Sequence, residues 1–179
     1  MRNVVLYQLL SLDGVAEEPS DWVLDSDDAI FDNLGRVIAS QDDVLLGRGT
    51  YDYWVDYWPT SDVEPFASFI NATQKHVFSS TPLPKAWANS DQVSTSAAEY
   101  VADLKQQSGG DIGIHGSIRL AQSLIAAGLV DELRLVVCPA LADGGRRGLN
   151  DIAGQQKWEL LDARNTSDGQ LLLGYRRVS

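Results

Sequence analysis

Three short apolar segments of this chain each end in a break of small polar residues. The breaks are Gly47-Arg48-Gly49-Thr50, Ser79-Ser80 and Gly116-Ser117. Glycine lets a ligand approach the backbone, and the planar guanidinium of Arg48 offers paired donors that fit a phosphate. Backbone N–H groups at the start of a helix attract anions in the same way. These residue types therefore predict a site for a phosphorylated ligand.

The segments before the breaks predict the strands that would place them. Residues 44–46 and 112–115 are continuous apolar runs, typical of strands buried in a parallel sheet, and residues 76–78 form another. Parallel strands end at one edge of a sheet, and α/β proteins bind ligands there. The three breaks would then line one extended ligand. Each break alone is also ordinary turn chemistry, in which glycine and serine are common.

The rest of the chain alternates strand and helix patterns. Apolar residues recur at helical spacing over residues 25–40, with Asp25 or Ser26 as the N-cap, and Ser96 opens a capping-box pattern. Further strands are predicted over 4–10 and 133–137, and further helices over 50–57, 63–71, 97–106 and the segment closed by Gly128. A final hairpin pairs 158–165 with 171–178. This order predicts one α/β domain over residues 1–179, with three α-β-α layers and a mostly parallel sheet that ends in an antiparallel hairpin.

Composition narrows the classes of function. The net charge of -11 and a pI near 4.4 argue against a nucleic-acid-binding protein or one that binds an anionic membrane. No apolar run approaches the roughly 18 residues of a membrane span, so a cytoplasmic location is expected. The only cysteine, Cys138, lies in an apolar segment and is expected in the core. The two histidines, His76 and His115, have no metal-ligand spacing, so no metal is expected.

Several other residues allow two interpretations. Asp13, beside Gly14, follows the first strand and would lie near a substrate, but an Asp-Gly pair is also a common turn. Trp22 and Trp54 could line a pocket for a flat ring, although core packing is the commoner use of tryptophan. The glycine-rich stretch over residues 144–148 is expected to be a mobile connection to the hairpin.

Together these segments resemble the dihydrofolate reductase-like superfamily, and above all the reductase domain of bacterial riboflavin biosynthesis and its stand-alone relatives. The resemblance covers almost the whole chain, and its order and spacing are more specific than any one motif. The matching segments are Ser11-Leu12-Asp13-Gly14, Leu46-Gly47-Arg48-Gly49-Thr50-Tyr51, Val77-Phe78-Ser79 and Gly116-Ser117, followed by Gly128-Leu129-Val130-Asp131-Glu132-Leu133.

The resemblance implies an NADPH-dependent reductase of a small heterocyclic substrate, most like 5-amino-6-(5-phosphoribosylamino)uracil reductase. Arg48 and Ser79, with Ser80 beside them, would contact the adenosine 2′-phosphate. The loop at Asp13 and Gly14 would close over nicotinamide and substrate, with Asp13 a candidate to assist protonation. The nicotinamide and diphosphate would lie along Gly47, Thr50, Gly116 and Ser117.

The resemblance also implies a homodimer, because relatives of this fold often pair through a sheet edge. Two alternatives to a reductase remain open at this point. One is a nucleotide-binding or NADPH-sensing protein without turnover, since no clear catalytic acid is present. The other is a structural dimer module, for which the hairpin and the acidic surface are the hints.

Overall fold

A computed structural model describes residues 1–23 and 28–178 of the chain. Its strands are β1 (Val4–Leu10), β2 (Gln41–Gly47), β3 (Gln74–Phe78), β4 (Ser90–Val93), β5 (Asp111–His115), β6 (Glu132–Val137), β7 (Trp158–Asn165) and β8 (Leu171–Arg177). Its α-helices are α1 (Asp28–Ile38), α2 (Arg48–Tyr57), α3 (Phe66–Ala72), α4 (Ala97–Leu104) and α5 (Ile118–Ala126). Short 3-10 turns cover Pro19–Asp21 and Trp58–Thr60.

The strands form one eight-stranded sheet in the order β4-β3-β2-β5-β1-β6-β8-β7. The pairings from β4 across to β6 are parallel, whereas β8 runs antiparallel to both β6 and β7. The predicted fold class, a mostly parallel sheet with a C-terminal antiparallel hairpin, is confirmed. Because β2, β3 and β5 are parallel neighbours, all three polar breaks emerge at one edge, which we call the carboxyl edge.

Alternating side chains of the strands bury apolar surface against a helical layer on each face. In β2, Val44 and Leu46 pack into a cluster with residues of α1, α2 and α3, while Leu45 joins a cluster with α4 and α5. This period of two is what a strand buried on both faces requires. Two helices that start at the carboxyl edge, α2 and α5, therefore lie on opposite faces of the sheet.

Three details differ from the sequence prediction or extend it. Strand β4 was not predicted, because it follows two prolines and only Val93 of its four residues is apolar. Helix α4 begins at Ala97 as expected, but Ser96 makes no side-chain capping bond. The proposed N-caps of the first helix, Asp25 and Ser26, lie outside the described residues. Within residues 1–23 and 28–178, no single helix is both long enough and apolar enough to cross a membrane.

Candidate functional site

Ser117 joins the carboxyl ends of β2 and β5. Its buried hydroxyl accepts a hydrogen bond from the Gly47 N–H at 3.0 Å and donates one to Thr50 Oγ1 at 2.9 Å. A Cβ at Gly47 would make ordinary van der Waals contact with Ser117 Oγ at 3.8 Å, so the approach does not itself require glycine. Two of the three predicted breaks therefore form one hydrogen-bonded unit.

Helices α2 and α5 both begin at this unit. Gly47 and Ser117 occupy their N-cap positions, and neither helix receives a side-chain cap there. The first N–H groups of a helix have no partner within it and carry partial positive charge. Two such helix starts at one edge make it suited to an anionic group, even though the chain as a whole is acidic.

The guanidinium of Arg48 connects α2 to the loop after β3. Its Nε lies 2.7 and 2.8 Å from the two carboxylate oxygens of Asp52, one helical turn further along. Its Nη1 donates to Ser79 Oγ at 3.1 Å, Thr81 Oγ1 at 2.7 Å and the Pro82 carbonyl at 3.1 Å. The Arg48 side chain is still 31% exposed, so the group is oriented by the protein and open to a ligand.

The second break, Ser79-Ser80, divides into a buried and an exposed residue. The Ser79 hydroxyl donates to the Thr81 carbonyl at 2.6 Å and accepts from the Thr81 N–H at 3.2 Å, which shapes the loop. Ser80 faces solvent beside it. All three breaks thus meet around Arg48 and Ser117, as predicted from the parallel order of their strands.

Gly116 marks a close approach between β5 and α2. Its φ of +72° is one that glycine adopts without strain. A Cβ at this position would lie 2.9 Å from the indole of Trp54, so only glycine fits. The Trp54 ring packs edge-on against Trp58 and Phe66, with centroids 5.8 and 5.6 Å away. Trp54 therefore forms a fixed, half-buried wall beside Gly116.

Trp22 lies in a different part of the molecule. It is buried in a cluster with Tyr7, Ile30 and Cys138, and its indole N–H donates to the Glu17 carbonyl at 2.9 Å. It also lines a cavity of about 420 Å³. Carboxylates from four residues share that lining: Glu17, Glu18, Asp21 and Asp143. The two tryptophans thus belong to separate clusters, and Trp54 does not line this cavity, so their sharing of a pocket for a flat ring stays a prediction.

Asp13 is fixed in the loop after β1 by hydrogen bonds that favour its charged form. Its Oδ1 accepts from the Ala142 N–H at 3.0 Å and from the Ser11 hydroxyl at 2.7 Å. These bonds, the Ala142 bond first, hold the pKa of Asp13 below its usual range. At neutral pH this carboxylate is therefore ionised, and it can accept a hydrogen bond but has no proton to donate.

The expectation of a mobile connection over residues 144–148 is wrong. The segment runs antiparallel to the loop after β1, with a bridge between Val15 and Arg147. The Gly148 N–H donates to the Gly14 carbonyl at 3.0 Å. From the other side, Gln122 of α5 donates to the Arg147 carbonyl at 3.0 Å. Long-range hydrogen bonds of this kind leave no local pattern, so the glycines alone suggested flexibility.

Sequence reasoning missed three residues at the edge. Asp52 could have been found, because it stands four residues after Arg48 on a helix, where side chains meet. Thr81, which binds Arg48, has no such signal because its loop is irregular. Arg147, whose Nε donates to the Asp13 carbonyl at 2.9 Å, reaches the edge only through the packing of two loops.

The layers and the strand order define a three-layer α/β protein of the dihydrofolate reductase-like class. The family model of the RibD C-terminal domain matches residues 2–172, and the chain belongs to that family.

Three solved structures illustrate the likeness in fold. A protein of Shewanella sp. PV-4 assigned to riboflavin biosynthesis has a TM-score of 0.81 and 18% identity, with 99% of each chain covered. The Thermotoga maritima deaminase and 5-amino-6-(5-phosphoribosylamino)uracil reductase has a TM-score of 0.68 and 15% identity, covering 99% of this chain and 57% of that one. Dihydrofolate reductase from Enterococcus faecalis, complexed with NADP(H), has a TM-score of 0.65 and 13% identity, with 99% and 97% covered.

Proposed function

We propose that this protein is an NADPH-dependent reductase of a small heterocyclic substrate, most like the 5-amino-6-(5-phosphoribosylamino)uracil reductase of riboflavin biosynthesis. The observation that carries the proposal is the joining of three strand ends into one polar edge. Ser117 binds Gly47 and Thr50, and Arg48 binds Ser79. An extended dinucleotide needs such a row of donors, and membership of the RibD C-terminal domain family supports an oxidoreductase.

The residues of the edge suit the successive parts of NADPH. Arg48, with Ser79 and Ser80 beside it, would hold the 2′-phosphate, since its guanidinium is partly exposed and its planar set of donors matches a phosphate. The helix starts at Gly47 and Ser117 would hold the diphosphate. When bound, the nicotinamide supplies the hydride that reduces the substrate.

The other side chains would orient the substrate and exclude water. Thr50 and Gly116 border the stretch between the diphosphate and the nicotinamide, and Trp54 closes that side as a rigid apolar wall. Asp13 and Gly14 would face the substrate from the loop after β1. Because Asp13 is ionised, we assign it the acceptance of a hydrogen bond, and protonation of the substrate falls to a water molecule.

Binding of the two nicotinamide cofactors by the purified protein tests the cofactor assignment. We expect NADPH to bind more tightly than NADH, because only NADPH carries the phosphate that Arg48 would hold. The enhancement of NADPH fluorescence during titration measures both constants. Equally weak binding of NADPH and NADH contradicts the proposal.

A nucleotide-binding or NADPH-sensing protein without turnover is the second candidate. The ionised state of Asp13 favours it, since the predicted proton source at the edge has no proton to give. Tight binding of NADPH without its oxidation in the presence of pterins, pyrimidines and flavins supports this candidate. Oxidation with any of them supports the reductase.

The homodimer and the cytoplasmic location stay predictions. The hairpin strand β7 lies at one end of the sheet, with Leu160 exposed, and a second copy could pair there. Light scattering coupled to gel filtration measures the oligomeric state directly.

A further inference from the structure

We infer that the negative charge of Asp52 sets how strongly the site prefers a 2′-phosphate. The Asp52 carboxylate opposes the charge of Arg48 and so weakens the grip of the arginine on that phosphate. The inference rests on the proposed function, because it concerns the same end of the same site. Asp52 lies just outside the segment Leu46-Gly47-Arg48-Gly49-Thr50-Tyr51 that carries the family resemblance.

The contact between the two side chains is direct and local. Both oxygens of Asp52 lie within 2.8 Å of Arg48 Nε, and the residues stand at positions i and i+4 of α2. The two side chains remain 31% and 41% exposed. A phosphate that approaches Arg48 therefore meets a carboxylate at close range, with only partial screening by water.

Arg48 does not depend on the charge of Asp52 for its orientation. Nη1 is held by the loop after β3, through the Ser79 hydroxyl, the Thr81 hydroxyl and carbonyl, and the Pro82 carbonyl. In the described part of the chain, Nη2 makes no hydrogen bond. The loop thus fixes the guanidinium plane, and Nη2 remains for a ligand, whether or not Asp52 is charged.

The contacts of Arg48 determine whether removal of the Asp52 charge strengthens or weakens phosphate binding. If Asp52 only oriented Arg48, its removal would weaken phosphate binding. Because the loop already supplies orientation, the removal of the negative charge has the larger consequence and strengthens binding. For partly exposed charges a few ångströms apart, the expected gain is about three- to tenfold in affinity.

The variant Asp52→Asn separates charge from shape. Asparagine has the same size and keeps an oxygen that can accept from Nε, but it carries no charge. Asp56→Asn is the matched control, because Asp56 lies on the same helix and pairs with Lys85 instead. Both positions are exposed, and thermal unfolding checks that each variant is folded.

Calorimetric titration with adenosine 2′,5′-bisphosphate and with NADH tests the inference. In Asp52→Asn we expect the bisphosphate to bind about three- to tenfold more tightly and NADH affinity to stay within about twofold. The salt dependence of bisphosphate binding should become steeper, because an uncompensated arginine meets the phosphate. Asp56→Asn should match the wild type in all three measurements.

Each outcome has one meaning. Unchanged or weaker binding of the bisphosphate by Asp52→Asn overturns the inference, provided that the wild type binds it. An equal gain with NADH also overturns it, because the effect would then not concern the 2′-phosphate. If the wild type binds neither the bisphosphate nor NADPH, the proposed function itself has failed.

Discussion

The two edges of the sheet use polar side chains in opposite ways. Toward the amino ends of the strands, buried groups bind one another. Arg2 pairs with Asp43, Asp43 lies 2.6 Å from His76 Nε2, and His76 Nδ1 lies 2.8 Å from the Tyr100 hydroxyl. At the carboxyl edge the side chains are small or hydroxylated, and Arg48 stays partly exposed. At the amino ends the charged groups bind within the protein, whereas the carboxyl edge offers donors that the proposed ligand would use.

Two buried lysines extend this contrast. The Lys75 amine donates to the carbonyls of Ile70 and Thr73 at 2.8 Å, where α3 ends, and burial lowers its pKa to about 8. Lys105 donates to the Leu129 carbonyl at 3.0 Å and pairs with Asp131. Both amines donate hydrogen bonds to backbone carbonyls within the protein. Changes near the amino ends should therefore affect stability, and changes at the carboxyl edge should affect ligand binding.

Asp43→Ala should have the largest effect. Burial alone would raise the pKa of Asp43, but hydrogen bonds from His76 and Arg2 outweigh burial and hold the pKa below its usual range. Removal of the Asp43 carboxylate leaves the almost fully buried guanidinium of Arg2 without the more buried of its two carboxylate partners. We expect the free energy of unfolding to fall by roughly 3–5 kcal/mol, as for other broken buried ion pairs. Urea denaturation measures it.

Asp42→Ala is the matched control for this prediction. Asp42 also pairs with Arg2 and accepts from the Gly110 N–H at 2.7 Å, but its side chain is 52% exposed, so water can replace its bonds and we expect a smaller loss than for Asp43→Ala. Equal losses for the two variants would contradict the importance of burial. A change in NADPH affinity of folded Asp43→Ala would contradict the separation of the two edges.

Arg48→Ala should show the reverse pattern. The hydrogen bonds of a charged group contribute about 1.5–3 kcal/mol, so NADPH affinity should fall roughly 10- to 100-fold. NADH affinity should change far less, and the free energy of unfolding should fall by about 1 kcal/mol, less than in Asp43→Ala, because Arg48 is partly exposed and water can replace its hydrogen bonds. Arg48→Lys keeps the positive charge but loses the planar set of donors, so its NADPH affinity should lie between those of the wild type and Arg48→Ala. Equal losses for NADPH and NADH would remove the role assigned to Arg48.

The sequence predicted features that depend on local pattern, and it missed those that depend on distant partners. The strands that end at Gly47 and His115 were found because buried parallel strands are continuously apolar. The edge strand β4 was missed because it has little to bury. Residues 144–148 were misread because their partners are distant in sequence: Gly14 is more than 100 residues away from Gly148, and Gln122 is 25 residues away from Arg147. The contact of Arg48 with Thr81 was not predicted either, because Thr81 lies in an irregular loop.

His115 connects the two edges of the sheet, because it lies at the carboxyl end of β5 and its side chain binds Gln41 at the amino end of β2. Its backbone ends β5 directly before Gly116, but its side chain turns inward. Nε2 lies 2.8 Å from Gln41 Oε1, and the ring packs against Phe66 with centroids 5.0 Å apart. Complete burial lowers the pKa of His115 to about 3. His115 therefore belongs to the internally bonded region, although in the sequence it stands beside Gly116-Ser117, where we propose that the ligand binds.

The pH dependence of stability tests this assignment of His115, with the smallest expected effect. The unfolded chain binds a proton at this histidine with a pKa near 6.5, whereas the folded protein resists it down to about 3. The stability that the neutral ring contributes is therefore complete above pH 6.5 and is lost as the pH falls toward 3. Between pH 6.5 and 5.5 the loss should be about 1 kcal/mol.

The variant His115→Gln keeps a hydrogen-bond donor but cannot titrate. Urea denaturation should therefore show that the free energy of unfolding of the variant falls by about 1 kcal/mol less than that of the wild type over this pH interval. The two proteins should change in parallel between pH 7.5 and 8.5, where this histidine is neutral in both states. The same loss in both proteins between pH 6.5 and 5.5 would mean that His115 is open to water, and the boundary between the two regions would then lie deeper in the sheet.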